Sequence, residues 1–504
     1  MSKLFFAFFF CLCYASICFS QNVGIGTTTP HSSAVLDMQA TNKGMLVPRI
    51  ALTAANLATP VTNPADALLV YNTATSGAGI DAVSPGFYYW NAAFARWTAI
   101  RASESNGSPG FGNWGDCSVK NVSGYDAVAA NDGLNGDVFG RSVSISGNWA
   151  IVGAPGDDIG ANVDQGSAYL FFFNGVSWLQ QQKIVAGDGQ PGDAFGFAVS
   201  ISGNYAVVGA PFDNSGPLND SGCAYIFFYN GSSWVQVVQP FLPIPASADL
   251  FGYSVCVKNG MMIIGAYGDG IGANVAQGSA HVYFFNGSTW LYQAQILAPD
   301  GAASDNFGMS VGIDNDRVIV GAPNDDIAGI ANQGSAHVYF YNGTVWSQQQ
   351  KFINSTFAAI DDKYGQSVSI SGNTVVIGCP GRSSDGGIID VWTLNVIIWT
   401  NTQTITPATG SQQFVGRSVA VDGDYFITGA SGATVNNVDG AGKAFIYKNY
   451  SGIWRLYEDF SDPAAGPVDA LGGVVALNNN RFICGLSLAP DQLQRGVVVF
   501  GKIE

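Results

Sequence analysis

Gly140, Gly196, Gly252, Gly308, Gly365, Gly416 and Gly472 mark one phrase written seven times, at spacings of 56, 56, 56, 57, 51 and 56 residues. The first copy, Asp137 to Pro155, reads DVFGRSVSISGNWAIVGAP; the next two read DAFGFAVSISGNYAVVGAP and DLFGYSVCVKNGMMIIGAY. A period of this size means radial or solenoidal repetition, in which each unit buries its apolar face only against its neighbours.

Every copy predicts four antiparallel strands. RSVSIS alternates with period two, a short GN turn follows, and WAIVGA is the second strand. A longer loop such as GDDIGANVDQG leads to a third strand, SAYLFFF, and a Trp opens the fourth (Trp178, Trp234, Trp290, Trp346, Trp399, Trp454). Between third and fourth, Asn174-Gly175 predicts a two-residue hairpin turn with positive φ at both residues. It recurs as Asn230-Gly231, Asn286-Gly287 and Asn342-Gly343.

The last copy stops after a third strand, RGVVVFGKIE, while NWGDCSVKNVSGYDAVAANDG ahead of the first copy matches a fourth-strand segment and supplies the missing Trp, Trp114. Residues 114–130 are therefore expected to complete the last unit and close a ring. The expected fold is all-β: a seven-bladed β-propeller of four-stranded antiparallel blades over residues 114–504, with a small β-rich N-terminal module.

Phe139-Gly140 followed by Gly153-Ala154-Pro155 returns as Phe195-Gly196 with Gly209-Ala210-Pro211 and as Phe307-Gly308 with Gly321-Ala322-Pro323; the third copy keeps Phe251-Gly252. These pairs resemble the FG-GAP repeat, and the resemblance spans residues 114–504. It implies the seven-bladed headpiece known from integrin α subunits and from many secreted bacterial proteins, with wording closest to the bacterial variety. Integrin-type repeats often carry a calcium loop of the form DxDxDGxxD between the first two strands. Here that connection is SGN or DND, too short to wrap the roughly six to eight oxygens that calcium takes. No cofactor is expected, and any surface calcium binding would be weak.

Ahead of the repeats, MSK and the apolar run LFFAFFFCLCYASICF predict a signal peptide over residues 1–20, cleaved after Ser20. No later stretch is long and apolar enough to span a bilayer. Residues 21–100, with NVGIGTTTP and GFYYWNAAFARWTAI, resemble the N-terminal modules of secreted Bacteroidetes-type and tail-fibre-like proteins. That resemblance implies surface display and a route to oligomers. Residues 101–113, RASESNGSPGFGN, read as a Ser/Gly-rich linker.

The formal net charge of -16, with only 20 Lys+Arg, argues against nucleic-acid grooves and anionic membrane surfaces as partners. Three cysteines leave with the signal; Cys117, Cys223, Cys256, Cys379 and Cys484 form no CxxC, and four of them stand where sister copies have small or apolar residues. They are expected to be buried and unpaired. His281 and His337 share a strand position with Tyr169 and Tyr225, which makes them structural, and His31 is isolated. No nucleophile elbow, HExxH or phosphate loop occurs, so the expectation is a non-enzymatic protein.

Asp137, Asp193, Asp249, Asp305, Asp362 and Asp469 precede the repeat aromatic by two residues and are expected to cap turns. The second-to-third-strand loops keep their ends while their middles drift, as loops do when a scaffold presents them. Their carboxylates Asp157, Asp158, Asp213, Asp269, Asp325 and Asp326 are the candidate ligand-face residues. Together these features point to an exported binding protein, acting in adhesion or surface recognition of an extracellular protein or glycan. A secreted hydrolase or lyase using a propeller pocket, and a purely structural envelope or fibre component, remain open alternatives.

Overall fold

The computed structural model describes residues 23–25, 36–38, 40, 45–77, 83, 85–92, 95–100, 126–134, 136–238, 240, 242–354, 358–381, 386–406, 413–435, 437–461, 470–486 and 496–503. The leader over residues 1–20, His31, the linker over residues 101–113, Trp114, Cys117 and Asp469 lie outside the described residues. Among the described residues every regular element is a strand. The chain divides into two compact units, Met1–Val119 and Lys120–Glu504.

In the first unit Val23–Ile25 pairs in parallel with Leu36–Met38. A four-stranded sheet follows, ordered Arg49–Ile50, Leu69–Asn72, Gly86–Asn91, Arg96–Ile100. Its core is Leu52, Val70, Tyr88, Trp90 and Trp97, and the buried Asn72 carboxamide accepts the Leu52 N–H at 2.9 Å.

The second unit contains seven four-stranded antiparallel sheets among the described residues. Sheet 1 runs Ser142–Ser146, Trp149–Ala154, Ser167–Phe173, Trp178–Ile184, each strand pairing with the next in sequence. Sheets 2 to 6 repeat this order and begin at Ala198, Ser254, Ser310, Ser367 and Val415. Sheet 7 differs: Leu471–Asn478, Arg481–Leu486 and Val497–Lys502 are completed by Asp126–Val128, with Val498 opposite Val128 and Phe500 opposite Asp126. Such sheets, each packed on the next, are consistent with the blades of a propeller.

Two findings explain why the Phe-Gly and Gly-Ala-Pro phrases recur. First, Phe195 is fully buried among Ile151 and Leu170 of sheet 1 and Tyr225 and Phe227 of sheet 2. Phe251 does the same between sheets 2 and 3, and Phe139 sits among Ile483 and Val498 of sheet 7 and Tyr169 and Phe171 of sheet 1. Burying one such ring contributes about 1.5–3 kcal/mol. Second, the glycine of each Gly-Ala phrase abuts the glycine after the next sheet's aromatic. A Cβ on Gly153, Gly209, Gly265, Gly321, Gly378 or Gly429 would lie well under 3.0 Å from the carbonyl oxygen of Gly196, Gly252, Gly308, Gly365, Gly416 or Gly472. The last sheet meets the first in the same way, Gly485 against Gly140. Pro155, Pro211 and Pro323 then end the second strand, since proline has no N–H to extend the ladder.

The first strand of each sheet is an edge, with unpaired backbone groups that need partners. Side chains of the preceding sheet supply them. Ser144 Oγ accepts the Ile201 N–H at 3.1 Å, Ser200 Oγ the Val257 N–H at 2.9 Å, and Ser369 Oγ the Val421 N–H at 3.0 Å. Between the last sheet and the first, Asn478 Oδ1 accepts the Gly147 N–H at 2.8 Å.

The outer hairpins correct one expectation. Asn174-Gly175 is not a two-residue turn with both φ positive: Gly175 has φ +98°, but Asn174 does not enter that region. Phe173 pairs with Trp178, so four residues form the loop. Asn174 Oδ1 caps it by accepting the Val176 and Ser177 N–H groups at 2.8 and 2.9 Å. The expected geometry occurs on a first-to-second-strand turn instead, at Asn259 (φ 51°) and Gly260 (φ 77°).

The recurrent Asp does close a turn, reaching back three residues. Its Oδ2 accepts the Leu134 N–H for Asp137 (2.6 Å), Gln190 for Asp193 (2.6 Å), Ala246 for Asp249 (2.5 Å) and Ala302 for Asp305 (2.6 Å). Burial outweighs these bonds and pushes the carboxyls of Asp193, Asp249 and Asp305 up to about 6. A carboxyl raised in the folded state takes its proton earlier than in the unfolded chain. Its contribution to stability is complete below the ordinary value near 3.8 and is lost as pH rises through about 6. The melting temperature should therefore be higher at pH 5 than at pH 7.5, and Asp193→Asn, Asp249→Asn and Asp305→Asn together should flatten that difference. Equal melting at both values would show that these carboxyls titrate normally.

Candidate functional site

The long second-to-third-strand loops and the connections between sheets lie side by side. Asn162 Nδ2 donates to the Gly189 carbonyl at 3.0 Å, and the Gly192 N–H donates to the Val163 carbonyl at 2.9 Å. Gly166, where the loop of sheet 1 ends, bridges in parallel to Phe195 at the start of sheet 2, and Gly222 does the same to Phe251. The opposite ends of the sheets carry only the short hairpins.

Four of the six candidate carboxylates are held inside their sheets. Asp157, 5% exposed, accepts the hydroxyls of Ser167 and Tyr169 and pairs with Lys183 at 2.7 Å; Lys183 also reaches Asp132 at 2.8 Å. Asp325 accepts Ser335 at 2.6 Å and pairs with Lys351 at 2.6 Å, which also binds Asp300 at 2.7 Å. Asp269 takes Ser279 and Gln295 at 2.6 and 3.2 Å, and Asp213 takes the Tyr225 hydroxyl at 2.6 Å. Burial alone would lower the Lys183 and Lys351 ammonium groups, yet these paired carboxylates hold both above the usual lysine range. Each such Asp ties the start of its loop to the third or fourth strand.

Asp158 and Asp326 are exposed. Each shapes its loop by accepting an amide six residues on, Asp164 N–H at 2.9 Å and Asn332 N–H at 2.7 Å, where the chain has positive φ. The structure thus brings Asp158 and Asp326, but not the other four, to the surface of the loop face.

His281 and His337 each meet a serine hydroxyl that also binds an aspartate, Ser279 with Asp269 and Ser335 with Asp325. The order differs from a nucleophilic triad, because the serine stands between the carboxylate and the imidazole instead of at one end. Both serines are fully buried, and burial pushes the imidazoles down to about 4 and about 3. This arrangement holds a strand end in place.

The model of the FG-GAP repeat matches residues 127–171, 178–227, 245–283, 290–339 and 346–388, which take in sheets 1, 3 and 4, the first three strands of sheet 2 and the first strands of sheet 5. The chain is an FG-GAP repeat protein. The sheets begun at Val415 and Leu471 lie beyond the matched segments of this FG-GAP protein but keep the glycine contacts described above. Its residues 24–110 match a phage tail like trimerisation region. No curated protein matches it.

The FG-GAP protein's first-to-second-strand turns do not fit a calcium loop. They are two-residue links such as Gly147-Asn148, and the Asp316 carboxylate in one of them already binds Arg317 at 2.8 Å. Among the described residues no cluster of three or more His, Cys, Asp or Glu is placed to hold a metal ion. Cys379 and Cys484 are buried and Cys223 and Cys256 half-buried, and none of the four is in a disulfide. EDTA should leave the melting temperature within a degree or so. A structural ion present at about 100-fold over its Kd would contribute about 2.7 kcal/mol, so a drop of several degrees would show that one is bound.

The sequence reading passed over one position, the residue after each Phe-Gly-type pair. The phrase around it is kept while this residue varies, as Arg141, Phe197, Tyr253, Arg417 and Gly473 show. That contrast is the signal that could have found it. The Arg141 guanidinium stacks on Phe197 at 4.4 Å, Phe197 meets Tyr253 at 4.8 Å, and Tyr253 meets Tyr267 at 4.4 Å. Burial holds the Arg141 guanidinium below the usual arginine range.

Proposed function

We propose that this FG-GAP protein is exported and non-enzymatic, and that its seven sheets close into a seven-bladed β-propeller whose long-loop face binds an extracellular protein or glycan at the cell surface, in adhesion or recognition. One observation carries the reading. Among the described residues the two ends of the sheets are built differently: one offers only short hairpins fixed by backbone and Asn side chains, while the other gathers the long loops of variable length. Closure is supported by the Gly485–Gly140 approach, the Asn478–Gly147 hydrogen bond and Asp126–Val128 completing the last sheet. Export is supported by the apolar run that begins the sequence, and a nucleic-acid partner is disfavoured by the net charge of -16. Surface calcium, if it binds at all, does so weakly and through exposed loop carboxylates such as Asp158.

An array of glycans and surface proteins probed with residues 114–504 tests the reading. The expected ligand interaction is weakened by Asp158→Asn with Asp326→Asn at an unchanged melting temperature. Loss of binding through substitutions around Asn174-Gly175 and Asn342-Gly343, with the Asp pair indifferent, would place the site on the wrong face.

The N-terminal module is proposed to make the protein a trimer. Its match to a trimerisation region is supported by apolar side chains left exposed in the single chain: Ile25 at 56%, Met45 at 55% and Leu46 at 81%. Light scattering should give three times the chain mass for residues 21–504 and one chain mass for residues 114–504. A monomeric long form would refute the proposal.

A further inference from the structure

The third-to-fourth-strand hairpins of sheets 1 to 4 turn on a glycine, Gly175, Gly231, Gly287 or Gly343, with φ of +98°, +99°, +96° and +94°. In sheet 5 the residue at that place, three before the Trp that opens the fourth strand, is Val396, with φ +61°. The Ile397 N–H donates to the Asn395 carbonyl at 2.8 Å and closes a three-residue turn around it. A β-branched residue is strained in this left-handed region, and no packing offsets the strain, because Val396 is 87% exposed. Ile397 and Ile398 follow at 72% and 61% exposed. Sheet 2 has Gly-Ser-Ser at these three places and sheet 3 has Gly-Ser-Thr.

The surroundings of this tip are apolar. No charged residue occurs from Val391 to Gly416. The hairpin of sheet 4 exposes Val345, and that of sheet 6 exposes Tyr450 and Ile453. These sheets touch along their outer strands: Trp399 Nε1 donates to Gln349 Oε1 of sheet 4 at 2.9 Å, and Gln403 Nε2 donates to the Trp454 carbonyl of sheet 6 at 2.8 Å. Every hairpin at this end of sheets 4 to 6 lies among the described residues.

We propose that the Val396-Ile397-Ile398 tip inserts into a zwitterionic lipid bilayer and holds the second unit against a membrane by its short-hairpin end. Three consecutive side chains leave a tight turn in different directions, so a rigid protein surface covers only some of them. A fluid acyl layer surrounds all three. Tyr450 belongs at the headgroup level beside the tip, and the Lys448 ammonium, 5.7 Å from its ring centre, reaches lipid phosphate from there. First-to-second-strand turns at the same end carry Asp316 and Asp424, and with the net charge of -16 they oppose an anionic surface. Apolar burial therefore drives attachment, while charge selects against anionic lipid. The inference is independent of the loop-face reading, since it occupies the opposite end of the sheets and leaves the long loops free.

Flotation of the mature full chain with phosphatidylcholine vesicles tests this. The chain is expected to float with the vesicles, and to float less as phosphatidylglycerol replaces part of the lipid. Ile397→Thr with Ile398→Thr should lower the partition coefficient about tenfold or more, the scale of withdrawing aliphatic side chains from apolar surroundings. Both residues are exposed and threonine keeps the β-branch, so the melting temperature should hold. Val396→Gly should also weaken flotation, yet raise the melting temperature, because glycine takes a positive φ without strain. A residue that served only the fold would not give that pair of results. The proposal is overturned if the intact chain stays in the soluble fraction, if either variant floats as well as the intact chain, or if binding needs anionic lipid. It is overturned equally if the lipid-free chain forms assemblies that the double variant dissolves, which would assign the tip to a contact between copies.

Discussion

Gly209→Ala is expected to destabilise the second unit by about 3 kcal/mol or more, a cost at the upper end for overpacking. The added methyl would point at the backbone of Gly252, well under 3.0 Å from its carbonyl oxygen, and at no flexible side chain that could turn away. Relief requires sheet 3 to move off sheet 2, which would also loosen the Phe251 ring wedged between them. Gly231→Ala is the matched control. Its φ is +99°, but nothing lies within 4 Å of its Cβ, so the cost is backbone strain alone, about 1–2 kcal/mol. Thermal melts of the two variants separate close packing between sheets from left-handed backbone. Equal melting temperatures would mean that the glycine pairs do not set the spacing of the sheets.

The repeat made most of the architecture legible, because a phrase copied in phase can only be satisfied by equivalent strands in equivalent sheets. Strand order, the unpaired third strand at the C-terminus and the matching segment ahead of the first sheet all follow from that logic. What the phrase does not reveal is which atoms it serves. Gly153 and Gly196 read only as parts of the repeated phrase, yet their role is a contact between neighbouring sheets made by residues 43 apart in the chain. Asp157 and Asp158 are adjacent and chemically identical, but the alternation of a chain leaving a strand sends one to Lys183 and Tyr169 and the other to solvent. Asn174-Gly175 misled for a related reason: the dipeptide favours a two-residue turn, while the Phe173–Trp178 pairing fixes a four-residue loop. Arg141 was invisible because a position that varies between copies looks unimportant until the fold stacks it on Phe197 of the next sheet.

Removing residues 114–130 is expected to be the most damaging deletion in the second unit that leaves every Phe-Gly phrase intact. It takes away Asp126–Val128, the strand that pairs with Val497–Lys502, and with it the cover over Val498 and Phe500, both now fully buried. Exposing those two side chains would cost about 1.5–3 kcal/mol each at full exposure. The larger consequence is a bare edge: Val498, Val499 and Phe500 would offer unpaired N–H and C=O groups on a β-rich segment, which invites pairing with another chain. The damage should spread past sheet 7, because Phe500 stacks on Trp178 at 4.4 Å and Val498 packs beside Phe139, so the junction with sheet 1 rests on the same side chains. The truncated chain should melt at a clearly lower temperature and aggregate on warming, and a synthetic peptide of residues 114–130 added in trans should restore part of the loss. If the truncated chain melts like the intact one, the strand ahead of the first repeat does not hold sheet 7 against sheet 1, and the proposed ring would rest on the Gly485–Gly140 and Asn478–Gly147 contacts alone.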